Sequence, residues 1–466
     1  MKKSILSLLI GFSVATQAYA DDLYQVYQRA LEQDPTINKA KADRDAAFEG
    51  ISISRANLLP QISGVIGYTD STSDQFNFTT VPVLDPSTNE PVLDQNGDPV
   101  TTTEVSIFNN QSKNLGWDIN LSLSIYDHQN WVGLNRAEKV AQQSDTTYAL
   151  AKQELIVRTT IAYLAVLRAQ DGLEFVKAEK RAIERQLEQT KQRFEVGLTA
   201  ITDVHEAQAN FDNTVAQEIV AENLVELRLE ELREITGKYH DNLSVLNTES
   251  FTASRPIPER VDGWLEIAEE KNLDLMVSKL ATEIAKDDIK NARAGHYPTV
   301  SLTASIGSND TELNGNSSLP TRDNDSIGIQ LNVPIYSGGR VSSQTAQAKY
   351  NFISASESLE LAHRSTVRSI RSSYNDVVAA TSTIRALEQA VVSAQSALQA
   401  TEAGFDVGTR TIVDVLNSTR NLFDARRNLA GARYDFISAV MTLKRSAGNL
   451  TEQDLIDINR GLRSAS

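Results

Sequence analysis

The chain has 466 residues, 41% hydrophobic and 23% charged, with no cysteine and a formal charge of -16. That length accommodates two to four ordinary domains. The acidic balance disfavours a nucleic-acid partner, which needs clustered basic residues, and the missing cysteine removes disulfides, thiolate chemistry and a cysteine-borne lipid anchor.

Residues 1–20 contain Lys2 and Lys3, an apolar run from Ile5 to Val14, and Ala18-Tyr-Ala20. This is the three-part layout of a cleavable secretory signal, so the mature chain is expected to begin at Asp21. No later run of about eighteen apolar residues occurs, which argues against a transmembrane helix. An exported chain without a helical anchor is either soluble or a β-barrel.

Four segments alternate with period two, at about 61–72, 112–126, 299–308 and 326–336. Trp117, Ile119, Leu121, Leu123 and Ile125 oppose Asp118, Asn120, Ser122 and Ser124; Ile327, Ile329, Leu331, Val333 and Ile335 oppose Gly328, Gln330 and Asn332. An apolar outer face and a small polar inner face fit a membrane barrel around water, although each segment alone also fits a soluble sheet. Tyr68, Trp117, Tyr126, Trp131 and Tyr336 lie near the segment ends, where an aromatic girdle would fall. The stretch 73–113 is polar and turn-rich, with Pro82-Val-Leu-Asp85 echoed by Pro91-Val-Leu-Asp94, and reads as a long loop carrying a small hairpin.

Regions of roughly 100–255 and 335–466 contain no proline. Each holds a long helical hairpin whose tips correspond: Phe194-Glu-Val-Gly-Leu-Thr-Ala-Ile-Thr-Asp-Val204 and Phe405-Asp-Val-Gly-Thr-Arg-Thr-Ile-Val-Asp-Val415. Upstream limbs at about 128–195 and 338–405 predict roughly 100 Å of helix each. Downstream, Val415, Leu422, Leu429, Phe436 and Leu443 recur every seven residues, a coiled-coil seam. Its first copy is Val204, Phe211, Glu218, Val225 and Leu232, with Glu218 the exception.

The chain thus reads as two repeats, 21–240 with its tip at 196–201 and 263–448 with its tip at 407–411, joined by a connector at 241–262 and followed by a tail at 449–466. Four strands cannot close a barrel, since spanning barrels need about eight or more. A membrane reading therefore requires cyclic association; two copies leave little lumen, and three give twelve strands. Asp414 and Asn417 share a helix face just past the second tip, and Thr411 with Asp414 has capping-box spacing. His128, His205, His240, His296 and His363 are isolated, and no metal-ligand, nucleophile or phosphate-loop pattern appears, which argues against an enzyme and against a cofactor.

Asp43-Arg-Asp-Ala-Ala-Phe48, Gly197 to Val204, Gly408-Thr-Arg-Thr-Ile-Val-Asp-Val-Leu416 and Glu452-Gln-Asp-Leu455 resemble the TolC family of trimeric outer-membrane channels, the outer membrane efflux proteins. The resemblance covers about residues 21–460. It implies a mixed α and β membrane protein: a long coiled-coil α-helical barrel reaching through the periplasm, plus a transmembrane β-barrel of four strands per protomer and twelve per trimer. It implies a passive exit duct for multidrug efflux and type I secretion. The partners would be two further copies, a periplasmic adaptor, an inner-membrane efflux pump or ABC transporter, and outer-membrane lipid. Residues 241–262 and the tail would form an equatorial belt. Asp414 and Asn417 would line the cation-selecting entrance, where the family carries two aspartates. Arg410 would tie to Thr202 and Asp203 of a neighbouring protomer, with Gln192 grouped among these closing contacts. Phe405 stands where the family has a tyrosine bonded to the same aspartate, so that link is missing. Val196, Gly197, Val407 and Gly408 would receive the adaptor. The alternative class is a periplasmic adaptor or structural coiled-coil protein, which typically carries one hairpin and an anchor.

Overall fold

A computed structural model describes residues 20–313 and 317–463. The expected leader, residues 1–20, lies almost wholly outside the described residues. The helices are α1 (Leu23–Gln33), α2 (Pro35–Ala56), α3 (His128–Glu195), α4 (Ile201–Thr236), α5 (Val261–Lys271), α6 (Leu273–Ala294), α7 (Arg340–Asp406), α8 (Ile412–Ala447) and α9 (Glu452–Arg460). The strands are β1 (Gln61–Pro82), β2 (Thr101–Tyr126), β3 (Val245–Leu246), β4 (Thr299–Leu313), β5 (Ser317–Ser318), β6 (Arg322–Asn332) and β7 (Leu462–Arg463). Helix lengths repeat almost residue for residue: 11 and 11 for α1 and α5, 22 and 22 for α2 and α6, 68 and 67 for α3 and α7, 36 and 36 for α4 and α8. The duplication therefore includes every helix but α9. No described helix is long and apolar enough to cross a membrane.

The chain divides into two compact units, one of residues 49–138 and 286–350, the other of 1–48, 139–285 and 351–466. The first holds an antiparallel sheet of long strands in the order β1-β2-β4-β6, with β5 also on β4. Register aligns the two faces across all four strands. Ile62, Leu121, Ala304 and Ile327 form one row, and the next row is Ser63, Asn120, Ser305 and Ser326. The apolar face is uncovered in the single chain, with Ile66 82% and Ile327 79% exposed.

Several strand boundaries depart from the sequence reading, with β4 running on to Leu313 and β6 starting earlier, at Arg322. The expected loop at 73–113 is mostly strand, because β1 runs on to Pro82 against β2, pairing Phe76 with Ile107 and Phe78 with Val105. Cross-strand bonds from Asn109 to Asp74 (3.0 Å) and Asn110 to Gln75 (3.1 Å) hold the polar stretch between. Only residues 83–100 form turns, closed by bridges Leu84 to Pro91 and Leu93 to Pro99. At the other edge, β6 stops at Asn332 rather than continuing to 336, since Pro334 has no N–H for the ladder.

The second unit is helical, and its core follows the heptad seam. Val415, Leu422, Phe436 and Leu443 are buried, as are Val225 and Leu232 in the first copy. Glu218, the exception, pairs with Lys180 of α3, which allows a carboxylate to occupy a seam position. Between the repeats, α3 is joined to α8 by Tyr434 donating to Asp171 (2.6 Å) and Arg168 donating to Asp435 (2.7 Å). The 241–262 connector and the tail meet where β3 pairs with β7, and Phe251 packs edge-on against Phe436 at 5.9 Å. The segment ahead of α1 joins them: Asp21 donates its N–H to Asn242 O at 2.9 Å and bridges Leu243.

The Asp21 carboxylate lies 2.7 Å from Nδ1 of the fully buried His240, whose Nε2 is 3.0 Å from the Thr236 hydroxyl. Burial pushes the Asp21 carboxyl upward, but the His240 bond and the Lys238 charge outweigh it and leave it below its usual value. A lowered carboxyl contributes stability above the usual carboxylate range and loses it as pH falls through the lowered value. Asp21→Asn should cost about 1–2 kcal/mol at pH 7 and flatten the loss of thermal stability below about pH 4. An unchanged melting point and acid limb would contradict this account.

Candidate functional site: the paired hairpin tips

All four long helices converge at the two tips on one small core. Ile183 and Leu187 come from α3, Ala207 from α4, Leu398 and Phe405 from α7, and Ile412, Val415, Leu416 and Leu422 from α8. Each tip closes in the same way. In the first, Gly197 N–H donates to Phe194 O (2.9 Å) and Leu198 N–H to Arg193 O (2.8 Å); in the second, Gly408 N–H donates to Phe405 O (3.1 Å) and Thr409 N–H to Gly404 O (2.9 Å). Gly197 and Gly408 have φ of +76° and +78°, the left-handed turn that glycine adopts without strain. Beside them Val196 and Val407 are 71% and 76% exposed, so each tip presents an apolar side chain to solvent.

The copies differ at the start of the return helix. Thr411 caps α8, and its N–H (2.9 Å) and hydroxyl (3.0 Å) both donate to Asp414 Oδ2. These Thr411 bonds, helped by the Arg410 charge, hold the Asp414 carboxyl below its usual range. Asn417 is exposed one turn further along α8. The corresponding cap of α4 is Ala200, which has no side chain to offer; instead the Thr199 hydroxyl donates to Asp203. Asp203 is therefore engaged within its own hairpin. Among the described residues Arg410 makes no ion pair, and its chain lies against Gly404, where a Cβ would sit 2.8 Å from Arg410 Cγ. Thr202 and Gln192 are exposed. The single chain does not bring Arg410 to Thr202 or Asp203, the arrangement expected between neighbouring copies. No group of three or more His, Asp or Glu side chains able to hold a metal forms among the described residues.

Phe405 is buried, and the Arg193 guanidinium lies over its ring at 4.5 Å from the centroid. Sequence reading passed over Arg193. The signal was the repeat itself, which aligns Arg193 with Gly404, so the first tip carries a long cation where the second has glycine. For the cap, Thr411→Ala should cost about 1 kcal/mol, raise the Asp414 titration toward its ordinary value and speed amide exchange in the first turn of α8. An unmoved Asp414 titration would show that the capping bonds do not control it.

The family model described as outer membrane efflux protein matches residues 26–238 and 264–449, one block per repeat. Outer membrane protein TolC of Vibrio cholerae is 44% identical over 99% of both chains. Alkaline protease secretion protein AprF of Pseudomonas aeruginosa is 29% identical, over 94% of this chain and 86% of the relative. The solved structure of CusC superposes with a TM-score of 0.72 at 15% identity, covering 91% of this chain and 92% of that one. With the family model matching a block in each repeat and a relative 44% identical over nearly the whole chain, the chain belongs to the outer membrane efflux protein family and resides in the outer membrane.

Proposed function

We infer that this chain is one third of an outer-membrane exit duct serving efflux and type I protein secretion, closed at rest by its hairpin tips. The observation that carries this reading is the sheet in which Ile62, Leu121, Ala304 and Ile327 share a bare face while, among the described residues, β1 and β6 each keep an unpaired edge. In lipid each unpaired edge group costs several kcal/mol, so β1 of one copy must meet β6 of the next. Three copies supply twelve strands and three pairs of hairpins with limbs of about 100 Å, enough to line a passage across an aqueous compartment. A periplasmic adaptor would have no use for such an apolar face.

In this reading the duct is passive. An adaptor docks at Val196-Gly197 and Val407-Gly408, and an inner-membrane efflux pump or ABC transporter supplies the energy. The connector at 241–262 and the tail form a belt around the helices. Closure comes from Arg410 of one copy reaching Thr202 and Asp203 of its neighbour near Gln192; Phe405, lacking a hydroxyl, adds no hydrogen bond. A charge-assisted bond of this type contributes about 1.5–3 kcal/mol, within what partner docking can supply. Three Asp414 carboxylates, with Asn417 alongside, form a cation-selecting ring at the entrance.

Planar-bilayer conductance tests both roles. Arg410→Ser should raise resting conductance about tenfold or more, as loss of one such bond predicts, whereas an unchanged level removes the lock. Asp414→Ala should abolish block by multivalent cations at pH 7. Because the Asp414 carboxyl is held low, block of the unsubstituted protein should persist at pH 5 and vanish only below about pH 4. Block that survives the substitution places the site elsewhere.

A further inference from the structure

We propose that Arg193 is a positioning residue of the gate, fastening the two hairpin tips of one protomer to each other. This rests on the duct reading for its consequence and on the tip geometry for its existence. Arg193 lies in the last turn of α3, and among the described residues its guanidinium's hydrogen bonds, ion pair and ring contact all go to the end of α7. One terminal nitrogen donates to Asp406 Oδ1 at 2.9 Å, the other to Phe405 O at 3.4 Å, and Cζ sits 4.5 Å from the centroid of the Phe405 ring. Among the described residues no other ion pair joins the last turn of α3 to the last turn of α7.

The arrangement needs arginine. A flat guanidinium can lie on an aromatic face while its in-plane N–H groups reach acceptors at the rim, whereas an ammonium cannot do both. It also needs an aromatic ring fixed in place, and Phe405 is only 8% exposed, part of the same buried cluster as Ile183, Leu187, Leu398, Ile412 and Leu416. Arg193 is the lid on that core. A hydroxyl on residue 405 is not required: a permanent cation on a buried ring replaces the hydrogen bond that a tyrosine would offer. Opening that separates the α3–α4 hairpin from the α7–α8 hairpin must lift the lid, so Arg193 sets how readily one protomer yields. The partner-facing Arg410 controls how copies hold one another.

The absence of cysteine makes the test direct. Full-length protein carrying Glu195→Cys and Glu402→Cys is spin-labelled and diluted with unlabelled chains, so that pulsed electron resonance reads the α3–α7 separation within one protomer. One narrow distance is expected. Arg193→Gln should add a longer-distance population, increasing the separated fraction about fivefold; Phe405→Leu should do the same, and Arg193→Lys should fall between. Resting conductance should rise in parallel with the longer-distance population. An unchanged distance distribution in Arg193→Gln overturns the proposal. So does unchanged conductance in that variant when Arg410→Ser conducts. A native protein that forms no conducting pore would instead overturn the duct reading, and the distance measurement would still decide the clamp.

Discussion

A sheet with two open edges and one bare apolar face is incomplete as a single chain, and this constraint organises the rest of the molecule. The edges are β1, 22 residues long, and β6, 11 residues long. In water such edges invite aggregation; in lipid their unpaired N–H and C=O groups are still more costly. Both problems vanish when the same two edges meet around a closed ring. The inner face is built for that ring, with Ser63, Asn120, Ser305 and Ser326 in line and the Ser305 and Ser326 hydroxyls 2.8 Å apart.

The duplicated hairpin answers a different requirement. Two nearly equal limbs per copy give a ring of six hairpins from three chains, and equal lengths bring the tips of each protomer to one small core. The copies have diverged in the strands, where β1 and β2 outrun β4 and β6, and again at the tips. The second has a capped helix start with Asp414 fixed by Thr411, while the first has Ala200 and an Asp203 occupied by Thr199. Arg193 and Gly404 divide the same way. Duplication supplies the frame, and a handful of unmatched residues make the two tips chemically different.

Much of this was readable in the residues. The seven-residue seam from Val415 to Leu443 is buried except at Leu429, which is half-buried, and the Thr411–Asp414 spacing is a formed capping box. The period-two segments share rows of one character across four strands, as their alternation implied. The length of the β1–β2 hairpin was hidden because Ser71 to Asn77 has no hydrophobic alternation, and its register rests on polar cross-strand pairs instead. Glu218 looked like a break in the seam because its partner, Lys180, lies on another helix. Arg193 escaped for the same reason: its acceptors are more than 200 positions away, and no local pattern announces them.

Joining the open edges is the claim on which the account stands. Single cysteines placed along β1 and β6 of this cysteine-free chain, oxidised in isolated outer membranes, test it directly. The account predicts covalent species of two and then three chains, and none larger, with the β1 cysteine of one chain joined to the β6 cysteine of another. Chains that remain monomeric at every pair of positions would contradict it.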